Sequence, residues 1–280
     1  MNLKKLVTAA VCTMLMAAVA FTAGCGGEKK SDKKVLKVGM ECAYAPYNWS
    51  QTKADGGAVK IAGSNEYAYG YDVMMAKKLA DSMGADLEIH KIEWDGLAPA
   101  VVSGKIDAAI AGMSITSKRK ETVDFTKPYY YATVVALVKK DSEQAKAQSV
   151  ADLKGSVATS QLNTIWYDQI DQVPDVKKLP AIDTVPGMIV ALTSGKCNLI
   201  ATPLPPPPKA AAFANPELTV LNFEEGKGFK TSREDVEIGI AVKKGNTELV
   251  KAMDAVLEKM TAADFDKMMD EAIKKQPLAQ

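Results

Sequence analysis

Residues 96–114, GLAPAVVSGKIDAAIAGMS, align without gaps on residues 187–205, GMIVALTSGKCNLIATPLP. Five positions are identical, including the consecutive Ser-Gly-Lys at 103–105 and at 194–196. In each copy an apolar helical pattern ends at a glycine, a short apolar run follows, and a loop comes next. Two copies of one helix–strand–loop unit, 91 residues apart, predict two lobes of similar α/β design. In open α/β sheets ligands sit beyond the carboxyl ends of the strands. The loops Gly112–Thr116 and Thr202–Pro207 are therefore expected to face each other across a cleft.

The surrounding pattern agrees. VLKVGM (35–40) and LEIHKI (87–92) read as strands, and IDAAIAG (106–112) as a buried strand. YDVMMAKKLADSMG (71–84) reads as a helix capped by Asp72 and stopped by Gly84. A second series begins with SVADLKG, SVATS and TIWYDQI (149–170), and the alternation argues for parallel α/β layers. The chain closes with two helical segments, 246–260 and 261–275, capped by Asn246 and Thr261.

The N-terminus sets the compartment. Two lysines precede an apolar run from Leu6 to Ala20, too short to span a bilayer comfortably, and small residues precede Cys25. Residues 1–24 read as a secretory signal peptide. A cysteine placed directly after the small residues resembles the lipobox of bacterial lipoproteins, with Cys25 as the lipidated mature N-terminus; Thr22 stands where that pattern usually has Leu. Ordinary secretion with a free Cys25 thiol is the alternative. The polar GGEKKSDKK that follows, with Cys25 making residues 25–34, reads as a tether. Without residues 1–24, which carry Lys4 and Lys5 and no acid, the 35 basic residues become 33 against 34 acidic ones, a charge of −1. That balance draws in neither nucleic acid nor an anionic membrane. Cys42 and Cys197 could pair in an oxidising compartment, but with a large core two free, half-buried thiols are the expectation.

The run IAGMSITSKRKETVDFTKPYY (110–130), with WDGLAPAVVSGKIDAA before it and GMECAYAPY (39–47) and GYDVMMAKKLA (70–80) upstream, resembles the polar amino-acid-binding proteins of bacterial ABC importers. The likeness covers nearly all of the chain after the tether. It implies the two-lobed periplasmic-binding-protein-like α/β fold of type II, with Rossmann-like lobes around a ligand cleft. The lobes would span 35–131 with 236–280, and 134–229, joined by hinge crossings near 131–134 and 229–236. It implies a monomeric receptor outside the cytoplasm, lipid-anchored at the cell surface or in a periplasm. Such a receptor captures a small amino acid by hinge closure and delivers it to a permease driven by an ATPase, without a cofactor.

Residue roles follow from the same likeness. Arg119 and Ser114 would hold the ligand carboxylate, which suits a guanidinium fork beside a helix start. Gly112 would offer its carbonyl to the α-amine. Asn163 and Thr164, in SQLNT (160–164), would add donors from the second lobe, although Leu162 stands where the family often has Gly. Tyr44 and Trp94 match the positions whose rings sandwich the ligand side chain. Glu41 matches an acidic position that meets a polar or cationic group. Pro203 lies where relatives commonly carry an Asp or Glu for the ligand ammonium, and proline offers neither charge nor N–H. The prolines 205–208 would stiffen the second lobe's rim. Either Glu41 takes over the ammonium, or the ligand is a carboxylate without an α-amine, or the site has lost function.

Dehydratases acting on prephenate-like acids share this fold, so an enzyme is the competing class. The inventory argues against it: His90 is the single histidine and sits in a predicted strand, there is no CxxC or HExxH, and Pro99 spoils the one phosphate-loop-like spacing. A sensor or adhesin lipoprotein would fit the same anchor.

Overall fold

The computed structural model describes residues 34–204 and 215–277. The signal-peptide reading, the anchor at Cys25, nearly all of the tether and the prolines 205–208 lie outside the described residues.

Two five-stranded sheets organise the chain. The first has the order Asp86–Lys91, Val35–Met40, Ala108–Ala109, Ala241–Lys243, Val123–Phe125. The second has the order Lys177–Lys178, Val157–Thr159, Leu199–Leu204, Thr133–Lys139, Leu218–Leu221. In each, the first three strands are parallel, and the fourth runs antiparallel to both of its neighbours. The expected parallel layers are therefore mixed sheets. Each fourth strand directly follows a passage of chain between the sheets and enters its own sheet from the opposite end. At that passage Tyr130–Tyr131 pairs antiparallel with Glu237–Ile238.

The internal repeat has a counterpart in each sheet. The helix Trp94–Ser103 leads to Ala108–Ala109, and the helix Val185–Thr193 leads to Leu199–Leu204. The matched glycines Gly104 and Gly195 both adopt φ 76°, the left-handed turn that ends each helix with little steric cost only for glycine.

Several local expectations shift. The buried run 106–112 forms ladder pairs only at Ala108–Ala109, although Ile110 and Ala111 are also buried. The strand expected at 87–92 spans Asp86–Lys91. The helix Tyr71–Ser82 starts from Gly70 rather than from an Asp72 cap, and the Asp72 side chain is fully buried instead. Thr202 and Pro203 lie in a strand, opposite Val135 and Val134, and not in a loop. A four-stranded antiparallel sheet within residues 43–69 had no clear signal, because its strands are only two to four residues long. The two C-terminal helices form as expected, with the Asn246 side chain accepting from the Leu249 N–H and Thr261 making a capping box with Asp264.

Strand alternation builds the core. In Thr133–Lys139, Val134, Ala136 and Val138 join Trp166, Ile170 and Leu199 in one apolar cluster. Val135 and Leu137, on the opposite face, join Met188, Leu192 and the larger cluster that continues through the first sheet. Each fully buried aliphatic side chain there contributes about 1.5–3 kcal/mol. Cys42 and Cys197 are free thiols, and both are fully buried rather than half-buried.

Candidate functional site

The site begins where the central strand Val35–Met40 ends. Glu41 follows it and is 4% exposed. Its Oε1 accepts from the Gln161 side-chain amide at 2.9 Å, while Oε2 is buried without a hydrogen-bond partner. Burial pushes this carboxyl from its ordinary 4.5 up to about 7; the Gln161 bond opposes the shift, and the nearby charges of Glu93, Asp72 and Asp95 add to it. Three residues on, Tyr44 stacks on Tyr47 with ring centroids 4.9 Å apart.

The Tyr44 hydroxyl donates to the Pro203 carbonyl at 2.8 Å. A strand residue points its C=O and its nitrogen to the same side. Because the Pro203 carbonyl faces Tyr44, its ring nitrogen faces away from the strand Thr133–Lys139. The missing N–H therefore costs that ladder nothing. Proline is tolerated here by the sheet, at the edge that borders the cleft.

Gly112 closes in behind Tyr44. It adopts φ 62°, and a Cβ on it would lie 3.1 Å from Tyr44 Cε1. The backbone angle favours glycine, and a side chain here would also have to displace the Tyr44 ring by a few tenths of an ångström.

Arg119 sits in the short helix Ser117–Lys120, whose cap Thr116 accepts from the Arg119 N–H. Its Nη1 donates to the Ser114 carbonyl at 2.9 Å, and its Nη2 donates to the Asn163 carbonyl at 3.2 Å. The guanidinium also lies 5.0 Å from the centroid of the Trp94 ring, a cation–π contact. Burial lowers its pKa to about 10, which leaves it charged at neutral pH. Asn163, at φ 54°, donates from its side chain to Asp95 at 2.9 Å. The Thr164 hydroxyl donates to the Gln161 carbonyl at 2.7 Å and holds that loop's turn.

All nine residues expected in the cleft therefore lie on facing segments linked to one another. Glu41, Tyr44, Trp94, Gly112, Ser114 and Arg119 come from segments around the first sheet, and Asn163, Thr164 and Pro203 from the second. Trp94 lies over the Arg119 guanidinium. Ser114 meets Arg119 through its carbonyl, while its own backbone bridges to Ile238. Sequence reasoning missed Gln161 and Asp95, which carry two of the cross-cleft bonds. The SQLNT loop was the available signal for Gln161; Asp95 lies in the first turn of the helix Trp94–Ser103, a position that carries no signal of a cleft bond. It also missed Tyr47, Asn48, Asp72 and Tyr129, which sit beneath the site.

Chemically, the cleft combines a buried carboxyl with an unsatisfied oxygen and a charged guanidinium held between two loops. No group of three His, Cys, Asp or Glu suited to a metal occurs among the described residues. His90 lies in the strand Asp86–Lys91, its Nε2 2.6 Å from a Glu88 carboxyl oxygen.

Comparison with known proteins bears on the fold and the family. The chain is 26% identical to the probable histidine-binding protein of Neisseria gonorrhoeae over 96% of its own length and 95% of the relative's. It resembles the amino acid ABC transporter substrate-binding protein AbpA of Streptococcus pneumoniae, a structure bound to L-arginine. The TM-score is 0.70 at 26% identity, covering 86% of this chain and 94% of that one. The ancestral amino acid-binding protein AncCDT-1, described as a precursor of cyclohexadienyl dehydratase, matches with TM-score 0.68 at 28% identity, over 85% of this chain and 95% of that one. The structural neighbours share the two-lobed α/β fold. The model of the bacterial extracellular solute-binding proteins, family 3, matches residues 36–275, and the chain belongs to that family.

Proposed function

We propose that this chain is the amino-acid receptor of an ABC importer, held outside the cytoplasm by a lipid on Cys25. The observation that carries the ligand reading is the pairing of opposite needs in one cleft. Arg119 offers a charged guanidinium at the junction of two loops. Glu41 offers a buried carboxyl oxygen with no partner. A zwitterion satisfies both: its carboxylate exchanges for the carbonyls that Arg119 now contacts, and its ammonium meets Glu41 and the Gly112 carbonyl. Ser114, Asn163 and Thr164 complete the carboxylate end, and Tyr44 and Trp94 enclose the side chain. The lobes, 35–131 with 236–280 and 134–229, close about the crossings as both contribute contacts. The closed monomer then presents its ligand to the permease.

The receptor reading is favoured over an enzyme because Glu41 is the one cleft carboxyl shown with a raised pKa and an unsatisfied oxygen, and its partner is an amide, not a base. A second reading rests on Pro203, which puts a carbonyl where relatives commonly carry an acid: the ligand would then be a carboxylate lacking the α-amine. Calorimetry on protein stripped of ligand by unfolding and refolding tests both. Arginine, histidine, cystine and the other common amino acids are titrated first, then their des-amino analogues. Binding of an amino acid with a silent analogue supports the first reading, and the reverse supports the second. Silence from both sinks the small-carboxylate receptor.

A further inference from the structure

Beneath the cleft lies a carboxylate that bonds to no side chain of the proposed ligand contacts. Asp72 is fully buried in the first turn of the helix Tyr71–Ser82, and its own N–H donates to the Tyr47 carbonyl at 2.8 Å. Its two oxygens are divided between two directions. Oδ1 accepts from the Tyr129 hydroxyl at 2.6 Å, and Oδ2 accepts from the Asn48 side-chain amide at 2.7 Å. Each donor is a relay. The Tyr129 hydroxyl accepts from the Gly112 N–H at 3.0 Å, and that N–H also bonds toward Asp72 itself. The Asn48 side-chain oxygen Oδ1 accepts from the Cys42 N–H at 2.8 Å.

The two backbone amides at the ends of these relays belong to unusual residues. Gly112 is at φ 62° and Cys42 at φ 56°, so both lie in the left-handed region, and Cys42 is there without glycine's freedom. Such conformations persist where surrounding bonds over-determine them. Cys42 directly follows Glu41, so a bond that holds the Cys42 N–H also holds the peptide plane joining the two residues and with it the Glu41 ψ. The Gly112 angle directs its own carbonyl.

A buried carboxylate is a costly means of holding two loops. Burial raises the Asp72 pKa from 3.8 to about 6, while the Tyr129, Asn48 and Gly112 bonds oppose that rise. Its side-chain partners Tyr129 and Asn48 are both donors, and an ionised carboxylate accepts from both at once. An amide at the same place would set its NH2 against that of Asn48 or against the Tyr129 hydroxyl proton.

We propose that Asp72 is a positioning residue of the ligand cleft, fixing Cys42 through Asn48 and Gly112 through Tyr129 so that Glu41 and the Gly112 carbonyl converge on one ligand group. The convergence on a ligand rests on the receptor reading; the fixing of the two amides does not.

The test uses native-state hydrogen exchange by NMR on the full chain, with the Kd for whichever of arginine, histidine or cystine the wild type binds. In Asp72→Asn the Cys42 and Gly112 amides exchange at least tenfold faster relative to the Val38 amide, and the Kd rises by at least tenfold. The exchange of roles in Asn48→Asp/Asp72→Asn restores both readouts. The new carboxylate at position 48 accepts from the Cys42 N–H and from the new amide at position 72, whose carbonyl oxygen accepts from Tyr129. If Asp72→Asn fails to fold, Tyr129→Phe serves: Gly112 loses protection while Cys42 keeps it. Unchanged relative exchange at both amides overturns the proposal. So does a lower Tm with an unchanged Kd, since that is the signature of a purely structural residue. If no amino acid binds the wild type, the receptor reading fails alone, and the exchange result still decides what Asp72 holds.

Discussion

The Tyr44 hydroxyl and the Pro203 carbonyl, 159 positions apart in the chain, form a buried hydrogen bond of 2.8 Å between the short strand Ala43–Tyr44 and the strand Leu199–Leu204. With Glu41–Gln161, Arg119–Asn163 and Asp95–Asn163, it ties the facing walls of the cleft. The bond uses a main-chain acceptor, which proline supplies as well as any other residue. A backbone carbonyl needs no side chain, and the first lobe provides its donor.

Replacing Tyr44 by Phe keeps the ring on Tyr47 and against Gly112 but removes this donor. Leaving the buried Pro203 carbonyl unsatisfied costs about 1–3 kcal/mol. Ligand affinity is expected to fall roughly 5- to 150-fold, mainly through faster dissociation, as stopped-flow measurement would show. An unchanged off-rate would mean the bond does not support closure.

Glu41 makes stability depend on pH. Its carboxyl is at about 7 in the fold against an ordinary 4.5, so the folded state holds the proton more tightly. Its contribution is fully present below about pH 4.5 and declines as pH rises to about 7, an effect of about 3 kcal/mol. Asp72 acts with the same sign between 3.8 and about 6. Urea unfolding from pH 4 to 8 should show stability falling across this window, and Glu41→Gln should flatten its upper half. An ammonium bound at Glu41 would expel that proton, so calorimetry near pH 6 in buffers of different ionisation heat should record proton release.

Arg119→Lys keeps the charge but loses the fork that reaches Ser114 and Asn163 together. Affinity for a carboxylate ligand should drop by about 10- to 150-fold, the worth of a charged hydrogen bond. Equilibrium titration checks it, and retained affinity would remove Arg119 from the carboxylate site.

Pro203→Asp tests where the ammonium goes. With the free oxygen of Glu41 available to it, the added acid should alter amino-acid affinity by less than about tenfold, while Glu41→Gln should weaken it by more. The opposite ranking in paired titrations would move the ammonium to the second lobe.

Gly70→Ala should be among the most damaging single changes. Gly70 is at φ 129°, and a Cβ there would lie 2.4 Å from the Tyr47 carbonyl oxygen and 2.9 Å from the Asn48 Cα. Backbone on both sides leaves no flexible side chain to yield. A loss of about 3 kcal/mol or more is expected in chemical denaturation, and a loss under about 1 kcal/mol would show that the turn has an alternative path.

Much of the fold was legible because its signals are local. Gly104 and Gly195 end matched helices, and Asn246 and Thr261 begin the last two, because caps and left-handed turns act within a few residues. The nine residues expected in the cleft came from motif order, and the structure links their segments through hydrogen bonds and ring contacts. Asp72 was misread for the same reason that the caps were read well. An acid in a helix's first turn fits a cap rule, and nothing local distinguishes a capping carboxylate from one buried beneath Tyr129 and Asn48.

By itself the sequence determined the repeated helix–strand units, the helix boundaries to within a few residues, and which loops carry the charged and aromatic groups. Only the tertiary structure decided which strands run antiparallel, that Gln161 meets Glu41, and that Pro203 offers its carbonyl to Tyr44. Those outcomes follow from the passage of the chain between sheets, which brings together residues 120 and 159 positions apart. Contacts at such separations depend on sheet order and on the burial of unpaired polar groups, and neither leaves a period or a spacing in the chain.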